Sequence, residues 1–220
     1  MLKPYLDQCP LVAILRGITP DEALPVARLL ADCGFSMVEV PLNSPDALES
    51  IRRISDALGR QLLVGAGTVI TPAQVNAVAA AGGRLIVSPN CNPQVIHQTR
   101  LRDMASLPGC CTPSEVFQAL AAGADGIKLF PATMISPATV TALRAVLPPI
   151  PLLAVGGIEP GNFDAYISAG VDGFGTGSGL YRARMPLQDI ARRAREMVNA
   201  ISSIANPANA TASAPVEPCP

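Results

Sequence analysis

The punctuation of the helices constrains this chain most. Amphipathic stretches open repeatedly on a Ser, Thr or Asn followed by proline: Thr19-Pro20, Ser44-Pro45, Thr71-Pro72, Asn92-Pro93, Thr112-Pro113 and Ser136-Pro137. The first residue caps the helix, and proline at the next position costs no hydrogen bond. Four stretches run out on a glycine, at Gly34, Gly82, Gly123 and Gly170, where a left-handed C-terminal cap is expected. Between these signals lie eight short apolar runs: 11–15, 37–40, 62–66, 84–87, 104–108, 126–130, 152–155 and 173–177. Short apolar runs alternating with amphipathic stretches read as βα units, and runs apolar on both faces read as strands covered on both sides. Eight units in about 200 residues point to an α/β fold, a single (β/α)8 TIM-type barrel. A doubly wound open sheet is the alternative.

Beyond residue 204 the sequence becomes ANPANATASAPVEPCP, rich in Pro and Ala and without apolar periodicity. The expected organisation is therefore a barrel domain over 1–204 and a disordered tail over 205–220. No apolar run reaches the 18 or so residues that cross a bilayer. Sixteen Lys plus Arg against seventeen Asp plus Glu leave a formal charge of −1, which disfavours a nucleic-acid partner. The opening segment MLKPYLDQCPLVAIL is poorly suited to be a secretion signal, so a cytoplasmic location is expected. The six cysteines lack C-x-x-C spacing and read as thiols.

In a barrel of this kind, chemistry gathers at the C-terminal ends of the strands. Arg16, Glu39, Thr68 and Lys128 fall there, as do the glycine pairs Gly156-Gly157 and Gly177-Ser178. Lys128, in Gly-Ile-Lys-Leu-Phe-Pro, is one of only two lysines. Desolvation and a nearby cation would lower its pKa and leave an amine able to form an imine. Glu39, in Val-Glu-Val-Pro, is a carboxylate in an apolar strand, where burial raises its pKa toward proton-shuttling range. A structural ion pair between the two is the competing reading. Arg16 suits a planar carboxylate, and Thr68 offers a hydroxyl. The two glycine turns after strands seven and eight supply backbone N–H groups for a phosphate. His97 is the only histidine and sits in a helix away from the strand ends, so no metal site and no cofactor are expected.

The runs AILRGITPDEAL, VEVPLNSP, VGAGTV, IVSPN, GIKLFPA, AVGGI and GTGSGLYR resemble, in order and spacing over about residues 10–200, the 2-keto-3-deoxy-6-phosphogluconate and 6-phosphogalactonate aldolases. The resemblance implies a metal-independent class I aldolase, usually a homotrimer, acting on a phosphorylated keto-deoxy sugar acid. It implies that Lys128 forms the Schiff base and Glu39 moves protons. Arg16 and Thr68, with Pro89, would take the keto-acid end, and Gly156, Gly157, Gly177 and Ser178 would take the phosphate. Gluconate enzymes read T-L-R-T and P-T-G-G where this chain has Pro41-Leu42-Asn43-Ser44 and Ala154-Val155-Gly156-Gly157. Asn43 and Val155 therefore stand as stereoselectivity residues that point to the galactonate epimer. A gluconate-specific aldolase, a phosphate-binding barrel isomerase or synthase, and a non-catalytic phosphosugar-binding module are the competing functions.

Overall fold

The computed structural model describes residues 1–205, so the Pro/Ala-rich tail lies outside the described residues. Nine short strands line up in parallel: β1 (Leu11–Ile14), β2 (Met37–Pro41), β3 (Leu63–Gly67), β4 (Leu85–Val87), β5 (Ala105–Leu107), β6 (Gly109–Cys110), β7 (Ile127–Leu129), β8 (Leu152–Val155) and β9 (Gly173–Thr176). β1 pairs with both β2 and β9, and the two ends of the sheet are β5 and β6, consecutive in the chain. They are one strand bent at Pro108, which has no N–H to give to a ladder. Ser88 donates to the carbonyl of Leu107 at 3.2 Å on one side of the bend, and Lys128 donates to that of Pro108 at 2.9 Å on the other. The ring thus closes as the eight-unit barrel expected, with its fifth strand in two halves.

Helices α2 (Pro20–Asp32), α3 (Ala47–Leu58), α4 (Pro72–Ala80), α5 (Pro93–Leu101), α6 (Pro113–Ala121), α7 (Pro137–Arg144), α8 (Phe163–Ser168) and α9 (Leu187–Ala205) surround it. Thr19 with Glu22, Thr71 with Gln74 and Thr112 with Glu115 close capping boxes at three of the proline starts. Gly34, Gly82, Gly123 and Gly170 all have positive φ. In each case the next residue donates back across the helix end, as Phe35 does to Leu30 and Val171 to Tyr166, both at 3.0 Å. That is the Schellman closure that the glycines announce.

The barrel interior is a separate apolar cluster from the strand–helix layer: Val12, Met37, Leu63, Leu85, Leu107 and Leu153, joined from below by Leu2 and Leu6. Those two leucines come from α1 (Lys3–Gln8) and the residue before it, a helix the sequence pattern does not predict. Gly126 and Gly173 make room for it, since a Cβ at either would press on Leu2 or Leu6 at 3.0–3.1 Å. The N-terminal end of the barrel is thereby filled among the described residues, and a cleft opens at the C-terminal ends of the strands.

Candidate active site

Strand alternation decides which side chains reach that mouth. Lys128 on β7 points inward and is 6 % exposed, and Glu39 on β2 is 2 % exposed. The Glu39 carboxylate lies against Gly67, where a Cβ would overlap its oxygens. No ion pair within 4.0 Å joins Lys128 to Glu39 or to any other carboxylate among the described residues, so the structural ion pair does not form. Glu39 Oε2 is fully covered and makes no hydrogen bond. Burial lifts the Glu39 carboxyl from its ordinary 4.5 to about 7, with Lys128 and then Arg16 pulling the other way. Burial also lowers the Lys128 pKa; Glu39 opposes this and Arg16 adds to it. The Lys128 Nζ sits 4.5 Å from the ring centre of Phe130, which gives the amine a polarisable wall instead of a counter-ion.

Above this pair lies a cleft of about 430 Å³, within the range of small-molecule sites. Arg16, Thr68, Pro89, Lys128, Val155, Gly156, Gly157, Gly177 and Ser178 all line it. A roomier hollow of about 820 Å³ lies against α1 and the 147–151 loop. Its charged side chains are committed, Lys3 to Asp7 and Arg144 to Asp172, so chemistry favours the smaller cleft.

Two expected residues do not line the cleft. Glu39 lies beneath it. Asn43 is exposed, and its Oδ1 accepts from Arg16 at 2.7 Å, so it ties down the guanidinium. Ser44 adds a second tie between the same loops by accepting from the Gly17 N–H at 2.9 Å. Thr68 has φ +59, a left-handed strain that functional loops often carry. At the rim, Gly156 and Gly157 have φ +98 and +73, backbone that side-chain residues rarely adopt. The N–H groups of Gly157, Ser178 and Gly179 take part in none of the loop and turn hydrogen bonds of the described residues.

Sequence reasoning missed Phe130, Gly67 and Arg182. Phe130 lies in the GIKLFPA run and Gly67 in VGAGTV, but neither is assigned a role there. Two-residue alternation along β3 places Gly65 and Gly67 on the inner face, the one signal that could have found the space Glu39 needs. A Gly67→Ala substitution is expected to displace the carboxylate, costing about 1–3 kcal/mol of stability through overpacking. Turnover should fall with it; thermal melts and kcat on the same sample check both.

A desolvated amine and carboxylate at the floor of a one-mouthed barrel, with glycine turns at the rim, define a site suited to imine chemistry on a ligand with an anionic tail. The chain belongs to the aldolase family described as KDPG and KHG aldolase, whose model matches residues 2–195. It is 48 % identical over 197 residues to the 2-dehydro-3-deoxy-6-phosphogalactonate aldolase of Escherichia coli, covering 89 % of this chain and 96 % of that protein. To the 2-dehydro-3-deoxy-phosphogluconate aldolase of Pseudomonas aeruginosa it is 32 % identical, covering 73 % and 74 % of the two chains. A solved structure described as "Native KDPGal structure" superposes with a TM-score of 0.89 at 47 % identity, covering 90 % of this chain and 97 % of the other.

Proposed function

We propose that the protein cleaves 2-dehydro-3-deoxy-6-phospho-D-galactonate to pyruvate and D-glyceraldehyde 3-phosphate through an imine on Lys128. The observation that carries the reading is a buried lysine with no carboxylate within 4.0 Å among the described residues, its pKa lowered by burial, at the base of a cleft of about 430 Å³. The neutral amine adds to the C2 ketone, and loss of water gives an iminium, an electron sink for the neighbouring bond. Glu39, through a water, takes the proton from the C4 hydroxyl. The C3–C4 bond then breaks, the aldehyde leaves, and its bonding electrons settle in an enamine. The enamine takes a proton at C3, and water restores the amine and frees pyruvate. Arg16, held by Asn43, pairs with the substrate carboxylate, Thr68 and Pro89 flank it, and the rim turns at Gly156-Gly157 and Gly177-Ser178 hold the phosphate.

The galactonate epimer is supported by the higher identity to the galactonate enzyme and by Val155, whose apolar side chain walls the cleft. The test is kcat/KM on both epimers. The galactonate should be preferred, and Val155→Thr should move the ratio toward the gluconate by about tenfold, the worth of one hydroxyl contact. Preference for the gluconate in the unaltered protein would sink the epimer assignment.

A homotrimer and a cytoplasmic location belong to the same proposal. Apolar side chains left outside, such as Phe117 and Met134, suit an assembly, and sedimentation should give three times the chain mass of 22.7 kDa. The thiols Cys9, Cys33, Cys91, Cys110 and Cys111 are all unpaired, as a reducing compartment keeps them.

A further inference from the structure

The rim turns offer a phosphate only neutral donors: backbone N–H groups and the Ser178 hydroxyl. A phosphate monoester carries a charge of roughly −1.5 to −2 at neutral pH. Dipoles alone leave much of that charge uncompensated, and Glu159, which lines the same cleft, adds to it. Three basic side chains line the cleft. Lys128 and Arg16 serve the floor, the first beside Phe130 and the second tied to Asn43. The third is Arg182, in the turn that follows β9.

Resting on the aldolase reading, we infer that Arg182 is the residue that supplies the positive charge of phosphate recognition. Its Nε donates to the carbonyl of Ser178 at 3.3 Å, which places the guanidinium beside a residue that itself lines the cleft. Among the described residues it forms no ion pair within 4.0 Å, so its terminal nitrogens stay available. A guanidinium fork fits two phosphate oxygens at once. Arg193 on α9 supplies the contrast. It donates to the carbonyls of Ser178 at 3.3 Å and Gly179 at 3.1 Å, yet it does not line the cleft. Both arginines brace the turn, and Arg182 alone of the two lines the cleft.

The experiment compares Arg182→Gln, Arg182→Lys and Arg193→Gln with the unaltered protein. Each is assayed on the phosphorylated keto-deoxy acid and on the same acid without its phosphate, with inorganic phosphate binding measured by calorimetry. Arg182→Gln should lower kcat/KM for the phosphorylated substrate about 30-fold, mainly through KM, which corresponds to about 2 kcal/mol. The unphosphorylated acid should be affected less than twofold, phosphate binding should weaken in step, and Arg182→Lys should recover part of the loss. Arg193→Gln should lower the melting temperature and move both substrates together. Equal losses on both substrates for Arg182→Gln, or unchanged phosphate binding, would overturn the inference. Failure of the unaltered protein to cleave either acid would instead overturn the aldolase reading, and the phosphate binding comparison would still judge Arg182.

Discussion

Replacing Lys128 with methionine is expected to lower kcat/KM by about 10⁵-fold or more, since no other lysine lines the cleft and a lost nucleophile is not replaced by its neighbours. Methionine keeps the length and apolar stem of the lysine, so the fold should hold. Indeed, the amine is buried against its own preference, and its removal should leave the melting temperature unchanged or higher. Incubation of the unaltered protein with pyruvate and borohydride should add one reduced pyruvyl group to the peptide containing Lys128. Lys3, the other lysine, is exposed and paired with Asp7 at 2.8 Å, so it serves as an internal control. Label on Lys3, or full activity in the methionine variant, would end the Schiff-base assignment.

Glu39→Gln carries the second large effect. Loss of a general base costs about 10²- to 10⁴-fold in kcat. The pH profile makes the result specific: Glu39 has to be ionised to accept the C4 hydroxyl proton, so activity should rise through about pH 7, where burial has placed its pKa. In the glutamine variant that limb should vanish, and its persistence would assign the base elsewhere. Stability should move in the opposite sense. A carboxyl whose pKa is 4.5 unfolded and about 7 folded binds more protons in the fold between those values. The fold therefore loses stability as pH climbs through that window, by up to ~3 kcal/mol above it. Glutamine carries no such penalty, so the variant should gain on the unaltered protein above pH 7 and draw level below about 4.5. Chemical denaturation at pH 4 and pH 8 reads the difference. A dead enzyme that is the more stable one is the expected signature of a group kept for chemistry.

The sequence made the barrel readable because helix starts and stops are local events. Thr112-Pro113 and Gly123 act through hydrogen bonds within a few residues, so their meaning survives without tertiary context. The floor of the site was readable for a related reason: Lys128 and Glu39 are charges inside apolar strands, an anomaly visible in one dimension. What the sequence does not reveal depends on contacts across the fold. The six residues of α1 have too few turns to display a period, and their role exists only because the barrel leaves its lower end open to Leu2 and Leu6. The bend at Pro108 is a matter of which neighbour each half of the strand pairs with. Asn43 stood out by its place in a motif, but the sequence could not show that its side chain meets Arg16, 27 residues away. Arg182 closes the GTGSGLYR run, with Arg184, Arg192 and Arg193 close behind it, and nothing in one dimension tells that its side chain folds back onto Ser178.

The plug at the lower end of the barrel has a kinetic consequence. With Leu2 and Leu6 filling the lower end, the mouth at the C-terminal ends of the strands is the way out for both products on the proposed mechanism. On the proposed mechanism pyruvate is still bonded to Lys128, at the bottom of that passage, when the triose phosphate breaks free near the rim. Departure is then ordered, aldehyde first and keto acid second. Run backwards, the enzyme has to load pyruvate before the aldehyde can dock above it, and an aldehyde that arrives early blocks the way.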